Sequence, residues 1–154
     1  MSGEKADPSD RTSVKNRRTQ VLVLAVAVVA ADQFTKAVAA QQRLVQTNPA
    51  YALGVVGGAA PLLIVGALLV LGAFLVLLAR PANSLGVPPL YPALITGGLL
   101  SNTFDRIRFG AARDYLTTPW AIVNLADIAV AVGLVAFVVA ATWRIYTMRG
   151  RFST

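Results

Sequence analysis

The chain has 154 residues, 56% of them hydrophobic, with a mean hydropathy of +0.63 and a formal net charge of +7. It contains neither cysteine nor histidine, which excludes disulfides, thiol nucleophiles, serine–histidine triads and His/Cys metal sites. The long, mostly uncharged apolar runs point to a membrane protein, and the basic residues gather at their ends rather than in a nucleic-acid-binding patch.

Residues 1–20 are polar, carry Lys5, Arg11, Lys15, Arg17 and Arg18, and read as a disordered cytoplasmic tail. Val21 to Ala40 is the first predicted span. Asp32, Lys36 and the apolar runs that follow argue for a retained anchor over a cleaved signal peptide. Residues 41–58 form a polar loop, and Ala59 to Ala79 is an uncharged second span. Residues 80–87 hold the breakers Pro81, Asn83 and Gly86. Pro88 to Phe104 is a third span, in which Gly97 and Gly98 permit close helix contact. Residues 105–121 are charged and broken by Gly110 and Pro119, and Ile122 to Thr142 is the fourth span. The expected organisation is a tail over 1–20, a four-helix membrane domain over 21–143 and a basic cytoplasmic tail over 144–154, an all-α membrane fold.

Four spans put both termini on one side. Counting Lys and Arg on each side assigns that side to the cytoplasm. Arg106, Arg108 and Arg113 then cluster on the outer side, against the trend, which fits pairing with Asp105 and Asp114 or contact with lipid phosphate. Of seven acids, Glu4, Asp7 and Asp10 lie in the tail, leaving Asp32, Asp105, Asp114 and Asp127 for the apolar body. The topology gathers all four toward the outer face, with Asp127 about one and a half turns into the fourth helix. A carboxylate at bilayer depth costs roughly 2.5–3.5 kcal/mol, so it usually serves a cavity, a partner or a reaction.

Each residue also has a plainer reading. Asp127 could hydrogen-bond between helices, and Asp114 taken alone is a solvated loop acid. Asp105 and Arg106 suit an ion pair at a helix end. Asp32 and Lys36, four apart, suit a pair on one helix face. Asn102 and Asn124 can bridge helices or meet substrate, and Asn48 before Pro49 marks a turn. Tyr115, Trp120 and Trp143 read as interfacial aromatics.

Five segments nevertheless recur in order: Asp32-Gln-Phe-Thr-Lys36, Asn48-Pro-Ala-Tyr-Ala-Leu-Gly54, Asn102-Thr-Phe-Asp105-Arg106, Arg113-Asp114-Tyr115 and Asn124-Leu-Ala-Asp127. Together they resemble the lipoprotein signal peptidases (signal peptidase II). The corresponding family patterns are Asp-x-x-Thr-Lys, Asn-x-Gly-x-Ala-Phe, Gly-Asn-x-x-Asp-Arg, Val-Val-Asp-Phe and Phe-Asn-x-Ala-Asp. The chain departs from these at Ala50, Leu53, Ser101, Arg113 and Val123. Arg113 is the sharpest departure. A cation within reach of Asp114 would hold that carboxylate charged, whereas alternation along an extended segment would point Arg113 away.

The resemblance implies a membrane-embedded aspartic endopeptidase that cuts lipid-modified prolipoproteins before the lipidated cysteine. It implies Asp114 and Asp127 as the catalytic dyad. Asn48, Asn102, Asp105, Arg106, Asn124, Asp32 and Lys36 would bind substrate or support the site. It also implies a small extracytoplasmic β-rich element, which residues 41–58 could supply, and neither metal nor organic cofactor. Two carboxyl groups sharing a proton can activate water and protonate a carbonyl oxygen in one site. The expected setting is a monomer in the cytoplasmic membrane, multi-pass, with its site toward the extracytoplasmic face and with membrane lipids and the prolipoprotein as partners. Two other readings stand beside this one: an inactive or altered-specificity paralogue that binds lipoproteins, and a proton-relay or transport subunit.

Overall fold

In the computed structural model of the protein, residues 8–48 and 85–149 are described. The predicted second span, residues 59–79, lies outside them. The described chain is mostly helical with a small amount of sheet. Its order is α1 (Pro8–Gln41), β1 (Gln46–Asn48), α2 (Leu90–Phe109), β2 (Ala112–Asp114), β3 (Leu116–Thr117), β4 (Ile122–Val123) and α3 (Leu125–Arg149). Two helical stretches, Asn16–Gln41 and Leu125–Met148, are long and apolar enough to cross a bilayer.

The boundaries differ from the sequence expectation in informative ways. Helix α1 begins at Pro8, so residues 8–20, polar enough to read as a disordered tail, continue the first helix. Helix α3 likewise runs on to Arg149, past the end expected at Thr142. At its start α3 is shorter than expected, because Ile122 and Val123 pair as β4 with β3. Asp127 is therefore the third residue of α3, in its first turn. Helix α2 outlasts its expected end at Phe104 and stops at Gly110. That glycine takes φ 76°, a left-handed geometry that favours glycine, and its N–H donates to the Arg106 carbonyl at 3.0 Å.

Helices α1 and α2 both run toward the sheets, and α3 runs away from them. Adjacent glycines let α2 touch both neighbours. A Cβ on Gly97 would lie 2.7 Å from the Ala25 carbonyl oxygen of α1, and a Cβ on Gly98 would collide with the Ala126 carbonyl oxygen of α3. β1 pairs antiparallel with β2, Gln46 opposite Asp114, and β3 pairs antiparallel with β4, Leu116 opposite Val123. Of the four described strands, β1 follows α1, and β2, β3 and β4 come from the segment between α2 and α3.

Burial is inverted relative to a water-soluble protein. Leu22, Val26, Val135 and Val139 are exposed, whereas Asp32, Lys36, Asp105, Ser101 and Asn124 are fully enclosed. Apolar side chains turned outward suit a lipid surround, and polar groups turned inward must satisfy one another. A small apolar cluster of Val87, Ile95 and Phe137 occupies the other end of the bundle.

Candidate active site

The polar interior lies where the ends of α1 and α2 meet the start of α3, and it divides into two clusters. One holds Asp114 and Asp127. Asn124 joins them through a reciprocal cap at the start of α3. Its Oδ1 accepts from the Asp127 N–H at 2.9 Å, and Asp127 Oδ2 accepts from the Asn124 N–H at 3.1 Å. The Asn124 carbonyl accepts the first helical bond, from Ile128 N–H. This is a capping box built from Asn and Asp, and it explains the three-residue spacing of Asn124 and Asp127 by local structure alone. The side-chain amide of Asn124 remains free to turn toward β2, where its Nδ2 donates to Asp114 Oδ1 at 2.6 Å and to Asn102 Oδ1 at 3.0 Å.

Asn102 on α2 supplies the second link. Its Oδ1 accepts from Asn124 and, at 3.0 Å, from Lys36 Nζ. With two donors aimed at Oδ1, the amide is fixed in orientation, and its Nδ2 donates to Asp127 Oδ1 at 2.7 Å. Asn48 of β1 donates to Asp114 Oδ2 at 2.9 Å. It stands two residues from Gln46, the residue paired with Asp114, so it lies on the same face at a diagonal. All four carboxylate oxygens of Asp114 and Asp127 thus receive a neutral amide N–H.

The second cluster holds the other two aspartates, and these meet cations. Lys36 Nζ lies 2.7 Å from Asp32 and 2.8 Å from Asp105, and Arg113 Nη2 lies 2.8 Å from Asp105. Two carboxylates and two cations balance. Asp32 also accepts from Ser101 Oγ at 2.6 Å and from the Ala126 N–H at 2.9 Å, which satisfies a second amide at the start of α3. Gln33 donates to Ser101 and Asp105 and accepts from Arg113.

Arg113 does not reach toward Asp114. Its guanidinium engages Asp105 and Gln33 and lies 4.3 Å from the centre of the Phe109 ring. Asp114 faces Asn48 and Asn124 instead, as alternation along a strand requires. The expected Asp105–Arg106 pair is replaced. Asp105 forms its ion pairs with Lys36 and Arg113, and Arg106 donates from Nη1 to the Asn102 carbonyl at 3.2 Å. Tyr115, expected at a lipid interface, is half-buried, and its hydroxyl donates to Thr35 Oγ1 at 2.7 Å. Asp114, Asp127, Asn48, Asn102, Asp105, Arg106, Asn124, Asp32 and Lys36 therefore all gather in one polar interior. Sequence reasoning passed over Gln33 and the Thr35–Tyr115 bond. The only signal for them was their place inside or beside the five segments.

The sequence profile of the family described as Signal peptidase (SPase) II matches residues 24–143. The chain belongs to the signal peptidase II family. A lipoprotein signal peptidase from Halothermothrix orenii is 39% identical over 87 residues, covering 56% of this chain and 59% of that protein. The chain thus aligns with about three-fifths of that relative's length. Two solved structures, each described as a bacterial membrane enzyme structure obtained by the in meso method, share the fold. They give TM-scores of 0.67 and 0.65 at 22% identity, over 79% of this chain and 87% and 92% of theirs. As a signal peptidase II family member the chain is a membrane protein, which accounts for the outward apolar and inward polar faces described above.

Proposed function

We propose that the protein is a membrane-embedded aspartic endopeptidase that removes signal peptides from lipid-modified prolipoproteins, cutting before the lipidated cysteine, with Asp114 and Asp127 as its dyad. The observation that carries this reading is the sorting of the four body aspartates. Asp32 and Asp105 are held by Lys36 and Arg113, whereas Asp114 and Asp127 are held by amides. The first pair has its charge met by cations, whereas among the described residues no ion pair reaches Asp114 or Asp127, which leaves two like charges close together with only neutral donors. Asn124 contacts both members of the second pair, so the two carboxyl groups share one site.

In this mechanism one carboxylate removes a proton from the attacking water while its protonated partner donates to the scissile carbonyl oxygen. Either carboxyl group can serve as base or acid, so the two roles belong to the pair. Asn48, Asn102 and Asn124 orient the carboxylates, and Arg106 supports Asn102. The protein works as a monomer in the cytoplasmic membrane with four spans. Both termini lie in the cytoplasm, and the sheet end with its dyad faces the extracytoplasmic side. The bias of Lys and Arg toward the termini supports that orientation.

The test is cleavage of a lipidated precursor by purified wild type, Asp114→Asn and Asp127→Asn. Each single substitution is expected to lower the rate by roughly 100- to 10,000-fold, the range of acid–base catalysis, with expression retained. Wild-type cleavage by either variant would remove the dyad from the mechanism. Replacement of both aspartates without loss of biological function would favour a binding paralogue.

A further inference from the structure

The two residues flanking Asp114 point to the opposite side from it, and both end on α1. Arg113 Nη2 donates to Gln33 Oε1 at 2.6 Å, and Tyr115 Oη donates to Thr35 Oγ1 at 2.7 Å. Gln33 and Thr35 stand two residues apart on the helix that also carries Asp32 and Lys36. Thr35 is itself fixed, because its hydroxyl donates to the Asp32 carbonyl at 2.9 Å. Arg113 is held further by its backbone N–H, which donates to Asp105 Oδ2 at 3.1 Å, and by the Phe109 ring. The family pattern around this aspartate is Val-Val-Asp-Phe, which offers neither a guanidinium nor a hydroxyl. This chain reads Ala-Arg-Asp-Tyr.

We propose that Arg113 and Tyr115 are positioning residues: together they tether the Asp114 segment to α1 at Gln33 and Thr35 and so set where the Asp114 carboxylate lies relative to Asp127. Among the described residues β2 is three residues long and its sheet has two strands. A two-stranded sheet is marginal by itself, so its position must come from contacts outside the ladder. Asn48 and Asn124 hold the carboxylate end of Asp114, and the tether holds the backbone on the other side. Arg113 also shares the charge of Asp105 with Lys36, whose remaining N–H groups go to Asp32 and Asn102. The catalytic consequence rests on the peptidase reading; the tether itself does not.

Four full-length variants test this: Tyr115→Phe, Thr35→Val, their double, and Arg113→Met combined with Tyr115→Phe. The Arg113→Met/Tyr115→Phe variant is expected to lose roughly 10- to 100-fold in kcat on a lipidated precursor, with KM within about twofold of wild type. Its amides over residues 112–115 are expected to exchange roughly tenfold faster with deuterated water. Tyr115→Phe removes one hydroxyl and stays informative if the larger change prevents folding. It and Thr35→Val should each speed exchange over 112–115, and their double should be no worse than either single variant, because one bond is lost once. Unchanged exchange in Tyr115→Phe, or fully additive losses in the double, would overturn the tether. Faster exchange with wild-type kcat in the Arg113→Met/Tyr115→Phe variant would overturn its positioning role. Failure of the wild type to cleave any lipidated precursor would count against the peptidase reading, and exchange would still decide the tether.

Discussion

Replacing Lys36 with methionine separates two jobs that this side chain performs at once. Lys36 is fully buried, and its ammonium meets Asp32, Asp105 and Asn102 at 2.7, 2.8 and 3.0 Å. Three acceptors match the three N–H groups of an ammonium. Methionine fills nearly the same volume, so packing loss is small and the effect is mainly electrostatic. The change leaves two enclosed carboxylates with Arg113 as their remaining cation. Breaking a buried pair from one side costs about 3–5 kcal/mol, against about 5–15 kcal/mol for the whole of a typical domain's stability. For a chain of this size that corresponds to a fall of roughly 6–20 °C in Tm, measured in detergent micelles. The same substitution removes one of the two donors that orient Asn102, whose other end holds Asp127. A further loss of roughly 10- to 100-fold in kcat is therefore expected among the molecules that fold. The double variant Lys36→Met/Asp32→Asn tests the division. It restores charge balance, so Tm should recover most of its loss, but it restores no donor to Asn102, so kcat should stay low. A wild-type Tm in Lys36→Met, or full recovery of kcat in the double variant, would refute this reasoning.

Gly98→Ala should cost about 1–3 kcal/mol or more by thermal denaturation, because the added methyl meets the backbone carbonyl of Ala126 and pushes α2 away from the start of α3. Alanine at the exposed Gly110 would meet no neighbour, so strain there comes only from its φ of 76°. Asn124→Ala removes both the cap of α3 and the donor to Asp114. It is expected to lower stability by about 1 kcal/mol, as cap losses do, while cleavage falls far more than that stability change accounts for. Asn124→Asp keeps the cap acceptor but sets a second, enclosed negative charge against Asp114, so it should lower Tm further than Asn124→Ala and recover no activity.

The outward apolar helices were legible in the sequence because hydropathy is summed over many residues and tolerates local error. The candidate site was legible because acids and amides are scarce in such a chain, and their order carries the family pattern. Helix boundaries were less legible. Ile122 and Val123 are as suited to a span as to a strand, and only their pairing with β3 removes them from α3. Asn124 and Asp127 did carry a local signal, since an asparagine three residues before an acid at a helix start is a capping pattern.

The sequence by itself determined that chemistry here uses neither an imidazole nor a thiol, because it offers no histidine or cysteine. It also determined that Arg113 stands beside Asp114. Only the tertiary structure decided which aspartates are neutralised. That depends on which helix faces touch, and two adjacent glycines on α2 let both α1 and α3 approach closely enough for Lys36, Asn102 and Asn124 to meet. The strand geometry then turns Arg113 to Asp105 and Gln33, and Asp114 to Asn48 and Asn124. Neighbours in sequence become members of different clusters because successive side chains on extended backbone face opposite ways.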